Sequence, residues 1–121
     1  MFKKLTSKHS QIIGIKLSDV DLIQFQDYVE ASRPDFSVLC GVDALMLPAL
    51  SVGSKGQVSG NSNVFPVLFS DLYMSYQKGD LAKAQILQKK INKVREILKD
   101  NIAYFKAALN IMGLNVGKTR S

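Results

Sequence analysis

The sequence predicts an α/β fold built on a parallel β-sheet. Strand-like and helix-like segments alternate three times between residues 11 and 77, and the connections between them are short. Alternation of this kind is typical of parallel strands joined by right-handed crossovers. Beyond residue 80 only helical patterns follow. We therefore expect a single domain in which residues 1–79 form three β/α units and residues 80–121 add C-terminal helices.

The first strand is predicted within QIIGIKLSDVD, residues 11–21. Three of the four residues before Lys16 are isoleucine, and a β-branched run without alternation is typical of a strand buried on both faces. Lys16 would then lie at or near the carboxyl end of a buried strand. Its stem could carry the ammonium to solvent, or an apolar environment could favour the neutral amine, which attacks carbonyl groups. These residues alone leave both alternatives open.

A helix and a second strand are predicted next. Apolar residues recur at helical spacing from Leu22 to Val29, until an Arg-Pro pair stops the pattern. Ser18 or Asp19 is the predicted N-cap of this helix. The run FSVLC at residues 36–40 then predicts a second short buried strand.

The third β/α unit follows a short helix. Asp43 is the predicted N-cap of a helix over residues 44–52, in which Pro48 falls in the first turns, where proline costs least. A small strand is predicted around residues 57–59 after a glycine-rich connection. A longer helix over residues 64–77 completes the unit.

Two further helices are predicted after residue 80. The first has an apolar face with residues three and four apart, and the second has apolar residues on one side. The apolar residues of the first are Ala84, Leu87, Ile91, Val94 and Leu98, and those of the second are Ile102, Phe105, Leu109 and Met112. The first also carries six basic residues, for which a solvated outer face is the favoured interpretation.

Composition sets limits on function. The chain has 121 residues, of which 46% are hydrophobic and 21% charged, as expected for one globular domain. Neither its N-terminal segment nor its longest apolar run has the length and character of a signal or a membrane span, so we expect a cytoplasmic protein. Cys40 is the only cysteine and His9 the only histidine, which argues against a disulfide, a zinc site and a Cys/His nucleophile.

The charge balance permits a partner rich in phosphate. Sixteen basic against ten acidic residues give a formal net charge of +6. The segment GSKG at residues 53–56 also has the Gly-x-x-Gly form of a KH backbone clamp for nucleic acid. In that module the loop joins two helices, whereas here it leads towards a predicted strand. Nucleic-acid binding is therefore the less favoured hypothesis.

Three stretches taken together resemble a known enzyme family. They are IIGIKLSDVD, then FSVLCGVDALMLPALSVGSKGQVSGNSNVFP, then QKGDLAKAQILQKKINKVREIL. The strand ending in Gly-Ile-Lys, the Gly-x-Asp after the next strand and the Ser-Asn before proline are jointly specific. The chain resembles the later part of the dihydrodipicolinate synthase and N-acetylneuraminate lyase superfamily. The resemblance implies the C-terminal part of a (β/α)8 TIM barrel, strands six to eight, followed by additional helices.

The resemblance also implies site residues for class I aldolase chemistry. Lys16 corresponds to the lysine that forms a Schiff base with pyruvate or another 2-keto acid. Gly41 and Asp43 match a segment that contacts the hydroxylated substrate tail in some members, and the backbone carbonyl of Val58 matches a position beside bound pyruvate. Gly60 departs from the serine of several members. No metal or organic cofactor is implied, because the protonated imine is itself the electron sink.

The matching region lacks part of the family's active site. The paired threonines that hold the pyruvate carboxylate and the tyrosine that relays protons belong to earlier strands, and no residue here matches them. Three strands also leave two sheet edges open for pairing. We therefore expect a complementing N-terminal barrel chain or a homo-oligomer as partner. The alternatives are a non-catalytic remnant that self-associates and a basic module that binds nucleic acid or another partner.

Overall fold

The computed structural model describes residues 2–120. Its secondary structure alternates as the sequence predicts and then becomes helical. In chain order the elements are α1 (Phe2–Lys8), β1 (Gly14–Leu17), α2 (Leu22–Ala31), β2 (Ser37–Cys40), a 3-10 turn (Asp43–Leu45), α3 (Met46–Ser51), β3 (Gly56–Gln57), a 3-10 turn (Asn61–Asn63), α4 (Pro66–Gln77), α5 (Leu81–Leu98) and α6 (Ile102–Ile111). The chain divides into two compact units, one up to Val58 and the other from Ser59 onwards.

The first unit contains a parallel sheet with the strand order β1-β2-β3. Lys16 pairs in register with Leu39, and Leu39 pairs with Gly56. The neighbouring row joins Leu17, Cys40 and Gln57 in the same way. The predicted parallel sheet is therefore confirmed.

The two faces of this sheet have different environments. Because side chains alternate along a strand, residues paired in one register row share a face. Val38 and Cys40 are buried in a core with Phe25, Phe36 and Ala49, so their face is the one covered by helices. The row of Lys16, Leu39 and Gly56 lies on the opposite face.

The prediction that β1 is buried on both faces is wrong for this chain. Lys16 is exposed, its strand neighbours are half-buried, and the side chain of Ile13 is 69% exposed. The physical reason is the position of β1 at the edge of the described sheet, where only β2 pairs with it. Lys16 does lie near the carboxyl end of β1, as predicted.

Helix α1 was not predicted, and its contacts explain why it forms. The Phe2 ring packs edge-on against Tyr28 and Phe36, with centroids 4.8 and 5.4 Å apart. The Arg33 guanidinium donates hydrogen bonds to the carbonyl oxygens of Thr6, Ser10 and Ile12. These contacts join residues distant in sequence, so local periodicity does not reveal them.

The cap of α2 lies two or three residues beyond its predicted position. The Asp21 carboxylate, rather than Ser18 or Asp19, accepts hydrogen bonds from the backbone N–H groups of Ile23 and Gln24 at 2.9 and 3.1 Å. Asp43 was likewise predicted as an N-cap, but it lies inside the 3-10 turn that precedes α3.

The second unit is helical, and its central helix matches the predicted apolar face. In α5 the buried residues are Ala84, Leu87, Gln88, Ile91 and Leu98, whereas Val94 is half-buried. The six basic residues of this region, Lys83, Lys89, Lys90, Lys93, Arg95 and Lys99, are all exposed, which confirms the solvated-face interpretation. Helix α6 is less buried than predicted, because only Phe105 and Leu109 of its predicted face are partly covered. None of the helices described in residues 2–120 is long and apolar enough to cross a membrane.

Candidate active site at the carboxyl end of the sheet

Lys16 is the third residue of β1 and lies close to the carboxyl end of the strand. Its side chain is exposed, and it shares the uncovered face of the sheet with Leu39 and Gly56. Within residues 2–120 the ammonium has neither an ion pair nor a hydrogen bond. The amine is therefore available to a molecule from solvent.

Gly41 creates the space in which the Lys16 stem lies. It directly follows β2, and its N–H donates to the Leu17 carbonyl at 2.7 Å. A Cβ added at Gly41 would collide with Cε of Lys16 and with Oγ of Ser18, and would lie 3.1 Å from the Leu17 carbonyl oxygen. The bare backbone at this position therefore lets the two side chains meet above it.

The Val58 side chain, just beyond β3, is directed to the same face of the sheet. Its N–H donates to the Cys40 carbonyl at 2.8 Å, which extends the β2–β3 pairing by one residue. Because Val58 lies two residues beyond Gly56, alternation directs it to the face that carries Lys16. Its side chain is 40% exposed.

Asp43 is a buried residue of the 3-10 turn that follows β2. Its side chain is 6% exposed, and its Oδ1 accepts a hydrogen bond from Nε2 of Gln57 at 2.8 Å. Gln57 pairs in register with Cys40, whose side chain belongs to the helix-covered face. The sheet thus brings Lys16, Gly41 and Val58 together, and the Asp43 carboxylate is hydrogen-bonded to the end of β3. No local pattern in the sequence indicates the hydrogen bond between Gln57 and Asp43.

Cys40 is a buried core residue. Its side chain is 2% exposed, and burial raises the pKa of the thiol above its ordinary value of 9.0. The backbone hydrogen bond at Val42 opposes this shift, and the nearby Asp43 carboxylate adds to it. A protonated and inaccessible thiol is a poor nucleophile, as expected for a small buried hydrophobe.

The GSKG segment is part of the connection from α3 to β3. Gly53 has a φ of +103°, and the buried Ser54 hydroxyl donates to the carbonyl oxygens of Val38 and Gly56. The Lys55 N–H donates to the same Val38 carbonyl at 3.0 Å. The loop is thus fixed to the sheet and joins a helix to a strand, which is not the helix-to-helix geometry of a KH clamp.

The segment that follows the third strand is fixed within the second unit. The Asn61 side chain, 1% exposed, donates to Oδ1 of Asp100 at 2.6 Å, and Oδ2 of Asp100 accepts from Nε of Arg95 at 2.9 Å. A Cβ at Gly60 would lie 3.0 Å from Cζ of Phe105 and closer still to the ring edge. Close packing against the Phe105 ring therefore explains why position 60 is a glycine.

The arrangement on the open face suits chemistry at a carbonyl carbon. At the carboxyl end of the strands it offers the Lys16 amine and the Ser18 hydroxyl above the backbone of Gly41. The described residues contain no group of three His, Cys, Asp or Glu side chains that could hold a metal ion. What the face can supply is a nucleophile that forms a covalent imine.

The chain is similar over its whole length to proteins of a known family. The family model of the Dihydrodipicolinate synthetase family matches residues 1–121. The 4-hydroxy-tetrahydrodipicolinate synthase of Methanopyrus kandleri is 34% identical over 113 residues, covering 92% of this chain and 38% of that protein. The chain therefore spans about two fifths of the length of such relatives.

Solved structures show the same partial coverage. The 4-hydroxy-tetrahydrodipicolinate synthase of Methylacidiphilum fumariolicum SolV superimposes with a TM-score of 0.89 at 36% identity, over 98% of this chain and 40% of that one. The 2-keto 3-deoxygluconate aldolase of Picrophilus torridus gives a TM-score of 0.82 at 26% identity, over 98% and 44%. The predicted fold class, part of a TIM barrel followed by helices, is confirmed.

Proposed function

The chain belongs to the dihydrodipicolinate synthetase family, and on that premise we propose that it supplies the Schiff-base lysine of a class I aldolase. The substrate is pyruvate or another 2-keto acid, and the nucleophile is Lys16. The observation that carries this proposal is an exposed amine at the carboxyl end of a parallel strand, with no ion pair among residues 2–120. Catalytic residues of TIM barrels lie at that end of the strands.

The proposed chemistry begins with attack of the Lys16 amine on the ketone carbon. Loss of water gives an imine, and its protonated form withdraws electrons from the substrate. The bond between C3 and C4 of the keto acid can then break or form. Gly41 gives the lysine stem its space, and the backbone carbonyl of Val58, next to the end of β3, is the proposed neighbour of the bound acid.

Asp43 is proposed as a contact of the hydroxylated substrate tail, as the family resemblance implies. Its buried carboxylate accepts a hydrogen bond from Nε2 of Gln57, which ties the turn after β2 to the end of β3. This hydrogen bond supports the proposal because it holds the carboxylate at the carboxyl end of the sheet.

Full turnover is proposed to require further strands. The chain spans 38% of its Methanopyrus relative, and the outer edge of β1 pairs with nothing in residues 2–120. A complementing chain with the N-terminal barrel strands, or further copies of this chain, would cover that edge. In this proposal residues 1–79 belong to one partial domain and contain strands six to eight of the barrel. A cytoplasmic location stays a prediction from the sequence.

Reductive trapping tests the proposed nucleophile. The chain is incubated with pyruvate and borohydride, and its intact mass is measured for the wild type, Lys16→Ala and the matched control Lys55→Ala. Lys55 is an exposed lysine of the same unit. We expect a pyruvyl adduct on the wild type and on Lys55→Ala, and its loss on Lys16→Ala. Equal adducts on all three proteins would refute the proposal.

A further inference from the structure

The Ser18 hydroxyl lies beside the Lys16 side chain, above the backbone of Gly41. A Cβ placed on Gly41 would strike both Oγ of Ser18 and Cε of Lys16, so these two atoms are neighbours over the same glycine. The hydroxyl does not cap α2, because Asp21 does so. Ser18 is exposed, and within the described part of the chain its hydroxyl makes no hydrogen bond.

We propose that Ser18 is a further catalytic residue, whose hydroxyl carries a proton between the Lys16 nitrogen and the substrate oxygen during imine formation. This inference rests on the proposed function and assigns a proton-transfer group to the same site. Ser18 follows Lys16 by two residues, so both side chains are fixed by the same end of β1.

The proton balance of the step is simple. Attack of the neutral amine on the ketone forms the C–N bond and leaves a positive nitrogen and a negative oxygen. The Ser18 hydroxyl gives its proton to that oxygen and receives one from the nitrogen, so the serine ends as it began. The resulting carbinolamine then loses its hydroxyl group with one more proton from solvent, as water, which leaves the protonated imine. No oxidant, reductant or metal is required.

Removal of the hydroxyl slows the step without removing the nucleophile. A positioned acid–base group contributes about 100-fold or more to a rate, and solvent water replaces part of that when the group is lost. We therefore expect Ser18→Ala to lower the rate of adduct formation at Lys16 by about tenfold or more. Ser18→Thr keeps the hydroxyl and should stay close to the wild-type rate.

The experiment is a time course of pyruvate trapping by borohydride on the full chain, with the adduct at Lys16 quantified by peptide mass. The control is Ser51→Ala, an exposed serine of the same unit whose hydroxyl bonds only to the Leu47 carbonyl. Trace acetylation of Lys16 by acetic anhydride is measured in parallel, because it reports the accessibility of the amine and needs no keto acid.

Each outcome decides the inference. A slower adduct for Ser18→Ala with unchanged acetylation, restored by Ser18→Thr, supports proton transfer. An adduct rate equal to the wild type overturns it. Equal slowing of adduct formation and acetylation also overturns it, because Ser18 would then only position the lysine. If the wild type forms no adduct at Lys16, the proposed function fails and this role fails with it.

Discussion

At the scale of single residues, the site depends on an absent side chain. Gly41 has nothing beyond its backbone where the Lys16 stem and the Ser18 hydroxyl meet. A nucleophile that must reach a carbonyl at a set angle loses rate when its stem is displaced by about 1 Å. The conformation of Lys16 is therefore controlled from a neighbouring strand.

Gly41→Ala is expected to lower the yield of trapped pyruvate at Lys16 by about tenfold, because the new methyl group displaces the lysine stem. Its matched control is Gly56→Ala, on the same face of the sheet. There an added Cβ meets only Cδ2 of Leu39, at 3.6 Å, which is an ordinary contact. Trapping yield and thermal unfolding are measured for both variants. A yield lowered equally by both would show that the effect is not local to Lys16.

Cys40 offers a prediction about pH. Because burial raises its pKa in the folded chain, the unfolded chain ionises its thiol first as the pH rises above 9.0. The neutral buried thiol therefore favours the folded chain fully below that pH. This stabilisation is lost as the pH rises through the pKa that the thiol has in the folded chain. We expect iodoacetamide to alkylate Cys40 far more slowly in the native chain than in denaturant at mildly alkaline pH. Equal rates would contradict its burial.

At the scale of elements, one arginine joins α1 to the sheet-bearing part of its unit. Arg33→Ala removes three hydrogen bonds to backbone carbonyls and should lower the free energy of unfolding by about 2 kcal/mol. The control is Arg95→Ala, whose partner Asp100 is half exposed, and for which a loss within about 1 kcal/mol is expected. Denaturant titration measures both. Equal losses would mean that the Arg33 contacts contribute no more than a surface ion pair.

The sequence predicts features that depend on neighbouring residues, such as strands and helices. It does not predict features that depend on contacts between residues distant in sequence. The strands, α2, α4 and α5 follow from periodicity and stop signals, and a resemblance of motifs selected Lys16, Gly41 and Val58. Helix α1 depends on Phe2 packing against rings distant in sequence, so no local pattern showed it. The N-cap was misplaced because Ser18, Asp19 and Asp21 are all suitable acceptors, and only the backbone path selects among them.

Asp43 shows a different limit. The resemblance associates this residue with the substrate tail, whereas its hydrogen bond to the Gln57 amide follows from the fold, because the parallel pairing of β2 and β3 brings two residues fourteen apart in sequence into contact. Burial of β1 was overestimated for a related reason: an isoleucine-rich strand is covered only if other strands and helices are present to cover it.

At the scale of the whole molecule, the described sheet is an open arrangement. It has three strands, an unpaired outer edge at β1 and an uncovered face that carries Lys16. Its relatives are more than twice as long, and in the proposed assembly the additional strands close the barrel around the imine. In this proposal Lys16 belongs to a binding site, whereas the other exposed lysines of this basic chain do not.

The most direct test is the dependence of adduct formation on pyruvate concentration, measured separately at each lysine by peptide mass after borohydride reduction. We expect labelling at Lys16 to saturate, because the keto acid binds before it reacts. Labelling at exposed lysines such as Lys55 and Lys83 should rise in proportion to concentration. A linear response at Lys16, with the same slope as the others, would contradict the proposal that this lysine belongs to a site.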